Sequence, residues 1–394
     1  MTPLLLLLLV APPTAAPPPP AAGAGGETIV VTGTRLSETE KALRDCLARH
    51  CPPDEDIRAT LAHAENLFVA GRYRDARGVT KASIGRNHRF RKDYPLPVSD
   101  LYRANGRIAA HLGEGADYEL STGIMRGVLD DAFGKSDAKV LMADVEWADM
   151  YASMGRLIRA RELYGSVAAR AAAAGRPDLA GIARVRSAYT YELGGDTAVA
   201  QRELRKIAAD TSPAGNVGRL SALILLARLD RKHGDPASSD ALVEVMRGLH
   251  SRRPVLIYAP ALDLAHGLAT GDDAGGQSMS AVRMMAGNNF TDRWVDIGFW
   301  VTPQGKVSDA EVLRSHGSLD WAKPLLRQIA GRIYTPSDDP GGSYRIERYT
   351  YTARWMRDTT GSHLRQRSPN VQIEYLDLTS DAPAAAPGPP PQPH

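Results

Sequence analysis

An Ala followed seven residues later by a Gly recurs along the chain, and a sequence that repeats such a unit stacks like segments rather than building one irregular core. The pairs are Ala64 and Gly71, Ala148 and Gly155, Ala188 and Gly195, and Ala227 and Gly234. A second Ala follows the Gly by five residues at Ala76, Ala160 and Ala200, with Ser239 in the weakest copy. The glycines are 84, 40 and 39 residues apart, so the first gap holds about two periods and residues 98–135 read as a decayed copy. Apolar residues keep helical spacing from Ile57 to about Gly267, broken by Gly or Asp-Pro. A small residue on each of two helices lets the backbones approach, and Gly ends the first helix. Helical hairpins stacked in series are expected over residues 38–268, with an irregular helical bundle as the alternative.

Tyr151 and Tyr164 in the copy at 144–167, and Tyr73 after the first Gly, add bulky aromatic residues at fixed places. In this pattern the region resembles the tetratricopeptide repeat. It departs from that family in its period and in lacking the family's tryptophan and closing proline, so it is described as TPR-like. The resemblance implies an α-solenoid whose concave face binds proteins or peptides. Residues 72–92 add a local charge feature, with eight Lys and Arg against one acid, Asp75. A solvated helix face or a surface for an anionic partner both fit it.

The whole chain of 394 residues carries 48 Lys and Arg against 45 Asp and Glu, too even a balance for a nucleic-acid binder. Leu4 to Val10 is an unbroken apolar run leading into small residues and prolines, the layout of a secretory signal with Ala22 or Ala24 as candidate cleavage positions. The run is too short to span a bilayer, so export to the periplasm is expected, with residues 1–24 as signal and Pro/Ala-rich leader and no integral span in the mature chain. The Pro-rich tail, 379–394, is expected to be disordered. Cys46 and Cys51, the only cysteines, are followed by Pro52 and Pro53. A disulfide between them requires the helix to end near Arg49 and turn back, whereas two cysteines with no partner pair make a poor zinc site.

Beyond a Gly/Asp/Ser-rich linker at 269–280 the pattern turns to strands. Trp294 to Val301 and Lys306 to Arg314 form a hairpin about Pro303-Gln304-Gly305. Leu319 to Ile329 reads as a helix with Ser318 as N-cap, 344–355 as a third strand, and Val371 to Leu378 as an extra one. The expected fold class is therefore an α-solenoid followed by a small β-β-α-β (α+β) domain at 281–378. The run VDIGFWVTPQGKVSDAEVLRSHGSLDWAKPLLRQIAGRIYTP, with Ser315 and Gly317 before Leu319-Asp320 and the helix exit at Arg332, Tyr334 and Pro336, resembles the C-terminal domain of TonB-family energy transducers. It lacks the family's Tyr-Pro before the first strand. The resemblance implies a bacterial envelope protein that captures extended segments by β-augmentation, with Tyr344, Ile346, Arg348, Thr350 and Thr352 of the third strand forming the edge. Near the other end, residues 27–36 include Thr28, Ile29, Val30, Val31 and Thr32, which are similar to the Ton box of TonB-dependent receptors. This implies binding to the chain's own C-terminal domain, a second copy or a genuine TonB.

No metalloprotease His pair, nucleophile elbow, phosphate loop or dinucleotide fingerprint occurs, so neither catalysis nor a cofactor is expected. The sequence leads to an exported, non-enzymatic adaptor that binds protein or peptide partners of the envelope, such as a TonB-dependent receptor or TonB. A membrane-tethered transducer and a purely structural scaffold are the alternatives.

Overall fold

The computed structural model describes residues 34–232, 254–260, 262, 293–337, 339–355 and 367–379. The signal and leader, the Ton-box-like residues 28–32, Gly234 and Ser239 of the last repeat copy, the linker at 269–280 and the tail beyond Thr379 lie outside the described residues. Ten helices lead: α1 (Leu36–Ala48), α2 (Pro53–Val69), α3 (Tyr73–Asn87), α4 (Pro95–His111), α5 (Gly115–Phe133), α6 (Ala138–Ser153), α7 (Leu157–Ala173), α8 (Pro177–Leu193), α9 (Thr197–Ala208) and α10 (Asn216–Lys232). Each packs on the next, and α2 on α4, α6 on α8 and α8 on α10 also touch, so the hairpins form a TPR-like array.

Gly71, Gly155 and Gly195 adopt φ of +77°, +73° and +87° directly after the first helix of their hairpins, a left-handed turn that other residues enter only at a cost. The second-helix alanines Ala76, Ala160 and Ala200 are wholly buried, and Ala64, Ala148 and Ala188 nearly so. Tyr151 packs in the same core as Tyr164, whose hydroxyl donates to Asp149. The decayed copy is the α4–α5 hairpin, whose turn glycine, Gly113 (φ +72°), lies midway between Gly71 and Gly155. There Gly106 and Tyr118 stand where the other copies have Ala, which hides the repeat from a search for alanines. Between α1 and α2 the chain turns back after Ala48 and a disulfide joins Cys46 to Cys51, with their Cα atoms 5.2 Å apart.

Among the described residues the remaining elements are β1 (Leu256–Tyr258), β2 (Arg293–Val301), β3 (Val307–His316), α11 (Lys323–Ala330), β4 (Ile333–Tyr334), β5 (Ser343–Trp355) and β6 (Arg367–Asp377). β1 corrects the helical reading of its region: an apolar run of this length between Pro254 and Pro260 fits strand as well as helix, and here it pairs antiparallel with β4. α11 likewise starts after Ala322, behind a 3-10 turn at Asp320–Ala322, so Ser318 is not its N-cap. The main sheet is antiparallel in the order β3-β2-β5-β6. Val295, Ile297 and Phe299 of β2 and Tyr349 and Tyr351 of β5 face α11 through Trp321, Leu325 and Ile329. Arg332, Tyr334 and Glu347 complete this core: buried Arg332 donates to Glu347 Oε2 at 2.7 Å and to the Tyr349 hydroxyl at 2.6 Å.

The turn glycines differ in what surrounds them. A Cβ at Gly71 would fall inside the Trp294 indole, whereas one at Gly155 would meet open space. Gly155→Ala is expected to cost about 1–2 kcal/mol for its backbone alone, and Gly71→Ala roughly 1–3 kcal/mol more for overpacking, a ranking that urea denaturation of the two variants checks.

Candidate peptide-docking site

The alternation of β2 and β5 sends odd-numbered side chains to the α11 core and even-numbered ones to the helical repeats. Arg348 and Asp296, cross-strand partners on this second face, are both fully buried. Arg348 donates Nε and Nη2 to the two Asp296 oxygens at 2.6 and 2.8 Å, and Nη1 and Nη2 to the Phe68 and Val69 carbonyls at 2.6 and 2.7 Å. Those carbonyls end α2, where backbone acceptors lack helical partners and the helix dipole favours a cation. The Trp294 ring lies 4.0 Å from the same guanidinium. Arg314 adds a second cation to Asp296 at 2.6 Å.

The pattern continues along the sheet. Arg367 donates to Leu112 O, at the end of α4, at 2.9 Å. The Trp355 amide donates to Gly113 O at 3.1 Å, and Arg354 donates to Ser153 O, at the end of α6. Three successive hairpin turns thus present carbonyls to three arginines of the sheet. Between them the Thr350 hydroxyl meets the Tyr73 hydroxyl at 2.9 Å and His111 Nδ1 at 3.0 Å. Burial, with Arg348 and Arg107 adding like-charge repulsion, pushes the His111 imidazole down to about 3.

This geometry corrects the placement of the peptide-binding edge on Tyr344, Ile346, Arg348, Thr350 and Thr352. β5 is an inner strand, paired with β2 on one side and β6 on the other, and Arg348, Thr350 and Thr352 are buried. The polar alternation that suggests a solvent face is instead a polar interface with the helices.

The edges of the sheet are β3 and β6. β3 is a poor template: Asp309 has a φ of +53°, and the β2–β3 register breaks twice. A bulge with charged neighbours is a common way to blunt an edge. β6 keeps one register from Val371 to Asp377. Leu378 N donates to Ile346 O at 2.8 Å. By the alternation of an antiparallel ladder, even-numbered residues of β6 turn their amides to β5 and Ile373, Tyr375 and Asp377 turn theirs outward. Among the described residues no strand pairs with that side of β6. Among the described residues the regular strand edge left unpaired is therefore this outer one, and the edge assigned to β5 is blocked by the extra strand Val371 to Leu378.

Four of the eight basic residues at 72–92 pair with acids among the described residues. Arg77 is buried and donates to Glu114 at 2.9 Å and to Asn105 and Asp117. Arg86 grips Asp56 at 2.7 and 2.8 Å, Arg72 binds Asp75 at 2.6 Å, and Lys81 reaches Asp117 at 3.3 Å. The neutralising acids Asp56, Glu114 and Asp117 sit on other helices, outside the window in which the charge looks one-sided. A cavity of about 600 Å³ between α7, α8, α9 and the start of α10, walled by Tyr164, Arg184, Tyr191, Lys206 and Asp210, is a second concave surface. Among the described residues the grouping of metal-ligand type is Cys46, Cys51 and Glu55, and its two thiols are held in the disulfide.

No family model and no curated protein matches the chain. Solved structures that it resembles include BtubC (BKLC) from P. vanneervenii, at 14% identity and a TM-score of 0.42, over 54% of this chain and 89% of that one. A Podosopora anserina protein of nearly identical TPR-like repeats matches at 17% identity and 0.39, over 50% and 96%. The Rap conjugation gene regulator of plasmid pLS20, solved with the Phr* peptide, matches at 11% and 0.35, over 68% and 70%. With superpositions this loose, the repeat architecture is read from the chain's own helices, which form a TPR-like array of hairpins.

Asp296→Asn leaves buried Arg348 without its carboxylate and is expected to cost about 3–5 kcal/mol; Arg348→Met leaves Asp296 paired with Arg314 and is expected to cost less, and the double variant less than the sum. Urea titrations of the three variants test this. Between pH 6.5 and 3 the unfolded chain binds a proton at His111 that the folded chain refuses, so this group removes stability as pH falls through that window. His111→Gln is expected to lose about 2 kcal/mol less than wild type between pH 6.5 and 4.5, read from unfolding free energies at the two values.

Proposed function

We propose that this chain is a non-enzymatic adaptor of the bacterial envelope, exported by its N-terminal leader, in which a helical-repeat scaffold carries a TonB-like sheet that takes up extended peptide segments along β6. The observation that carries the reading is the regular outer edge of β6, with the amides of Ile373, Tyr375 and Asp377 turned away from β5. Main-chain hydrogen bonds along such an edge supply affinity, and side-chain pockets on alternate positions supply selectivity. The contacts of Arg348 and Arg354 on β5 and Arg367 on β6 to helix ends support a fixed edge, because a sheet held on the helices needs little ordering when a partner arrives. Partners of the expected kind are extended segments of TonB-dependent receptors or of TonB itself, in the periplasm. The scaffold also offers the α7–α10 cavity and the faces of its hairpins to folded partners. Among the described residues no helix is long and apolar enough to cross a membrane, so the transducer alternative needs the leader to stay in the bilayer.

The test is titration of a chain starting at Thr34 with a peptide of residues 27–36, following amide shifts. Saturable binding centred on residues 371–377 is expected. Ile373→Pro, which deletes an outward donor while leaving the β5 ladder intact, abolishes it, and Ile373→Ala, which controls for the lost side chain, retains it. Absence of shifts at millimolar peptide rejects the edge and leaves a structural scaffold.

A further inference from the structure

The face that β2 and β5 turn to the repeats continues past Asp296 to Gly298 and Trp300, whose cross-strand partners are Ile346 and Tyr344 of β5 and Glu311 and Ser308 of β3. The Trp300 and Tyr344 rings have centroids 5.1 Å apart and are tilted by 53°, and both side chains are half-buried. Gly298 makes room for this pair. A Cβ there would fall onto the Tyr344 hydroxyl oxygen and lie 2.9 Å from Leu313 Cδ1, so the tyrosine ring reaches across the β2 backbone toward β3. On β3 the Glu311 side chain is exposed. Burial first, and the Glu311 carboxylate second, push the Tyr344 hydroxyl up. Among the described residues no cation pairs with Glu311: Arg314, the basic residue next along β3, is bound to Asp296 at 2.6 Å, and Arg345 donates to Pro254 O at 3.0 Å.

Six residues earlier on β2 the protein shows what such a grouping holds. Trp294 and Asp296 share the guanidinium of Arg348, which lies 4.0 Å from the indole and 2.6 and 2.8 Å from the two carboxylate oxygens. A ring face and a carboxylate answer the two aspects of a guanidinium, its flat surface and its edge of N–H donors. Around Gly298 the carboxylate and two rings recur without a cation from the described residues. We propose that Trp300, Tyr344 and Glu311 receive an arginine side chain of a protein partner. Charge complementarity selects a cation, and the ring pair selects arginine over lysine, whose compact, strongly hydrated ammonium has no plane to stack. A neutral sugar would use the rings and leave the Glu311 charge unanswered. The site spans β3, β2 and β5, on the far side of β5 from β6, so it is a second recognition point that does not depend on the β6 edge.

The test titrates the full chain with a blocked peptide of sequence Gly-Ser-Arg-Ser-Gly, and with the same peptide carrying citrulline, the uncharged isostere of arginine. The readout is the Trp300 indole N–H resonance, assigned by its loss in Trp300→Phe. A saturable shift at millimolar arginine peptide is expected, with roughly tenfold weaker binding of the citrulline peptide. Glu311→Gln, at an exposed position with no ion pair to lose, is expected to weaken the arginine peptide about threefold to fivefold. Equal affinity for the two peptides, or equal affinity of wild type and Glu311→Gln, overturns the proposal. Absence of any Trp300 shift at millimolar arginine peptide overturns it as well, and shifts confined to residues 371–377 then report the β6 edge alone. A Trp300 response to the disaccharide diacetylchitobiose with none to the arginine peptide overturns it in favour of a glycan.

Discussion

A guanidinium with no access to water has to find its hydrogen-bond acceptors inside the protein, and Arg348 finds them in Asp296 and in the last carbonyls of α2. That one side chain ties the sheet to the repeats, because moving α2 away would leave two of its buried guanidinium hydrogen bonds unmade. Arg367 and Arg354 extend the tie to the ends of α4 and α6. Along β5 these contacts run from Arg348 at the end of α2 to Arg354 at the end of α6 and the Trp355 amide at the turn after α4, while Arg367 of β6 meets the end of α4.

This docking uses one face of the sheet on the helices while the other is filled by α11. The two edges differ in their backbone: β3 breaks register with β2 twice, once at a bulge that includes Asp309, whereas β6 holds one register from Val371 to Asp377. That difference leaves β6 as the regular, unpaired edge among the described residues.

The repeat was legible because its cause is local. A turn that needs positive φ selects Gly, and two helices in close contact select Ala, wherever the hairpin sits. The hidden copy shows the limit of that signal: with Gly106 and Tyr118 in the alanine positions, only Gly113 marks it, at equal distance from Gly71 and Gly155. The hairpin of β2 and β3 and the strand β5 were equally readable from alternation and turn chemistry. The polar half of that alternation misled, since Arg348 and Thr350 look like a solvent face until their partners are known, and those partners are backbone atoms and side chains nearly 280 residues away in sequence. The same distance problem made 72–92 read as a basic patch, its acids being supplied by α2 and α5.

By itself, then, the sequence determined what depends on neighbours within a turn or a strand: the hairpin helices, their glycine turns, the β-β-α-β order and the proximity of Cys46 to Cys51. Only the tertiary structure decided which strand stands at the edge, which face of the sheet meets the helices and which charges are neutralised. Those outcomes are set by pairings between segments far apart in the chain, where Coulomb attraction and hydrogen bonding depend on distance in space and leave no periodic mark in the order of residues.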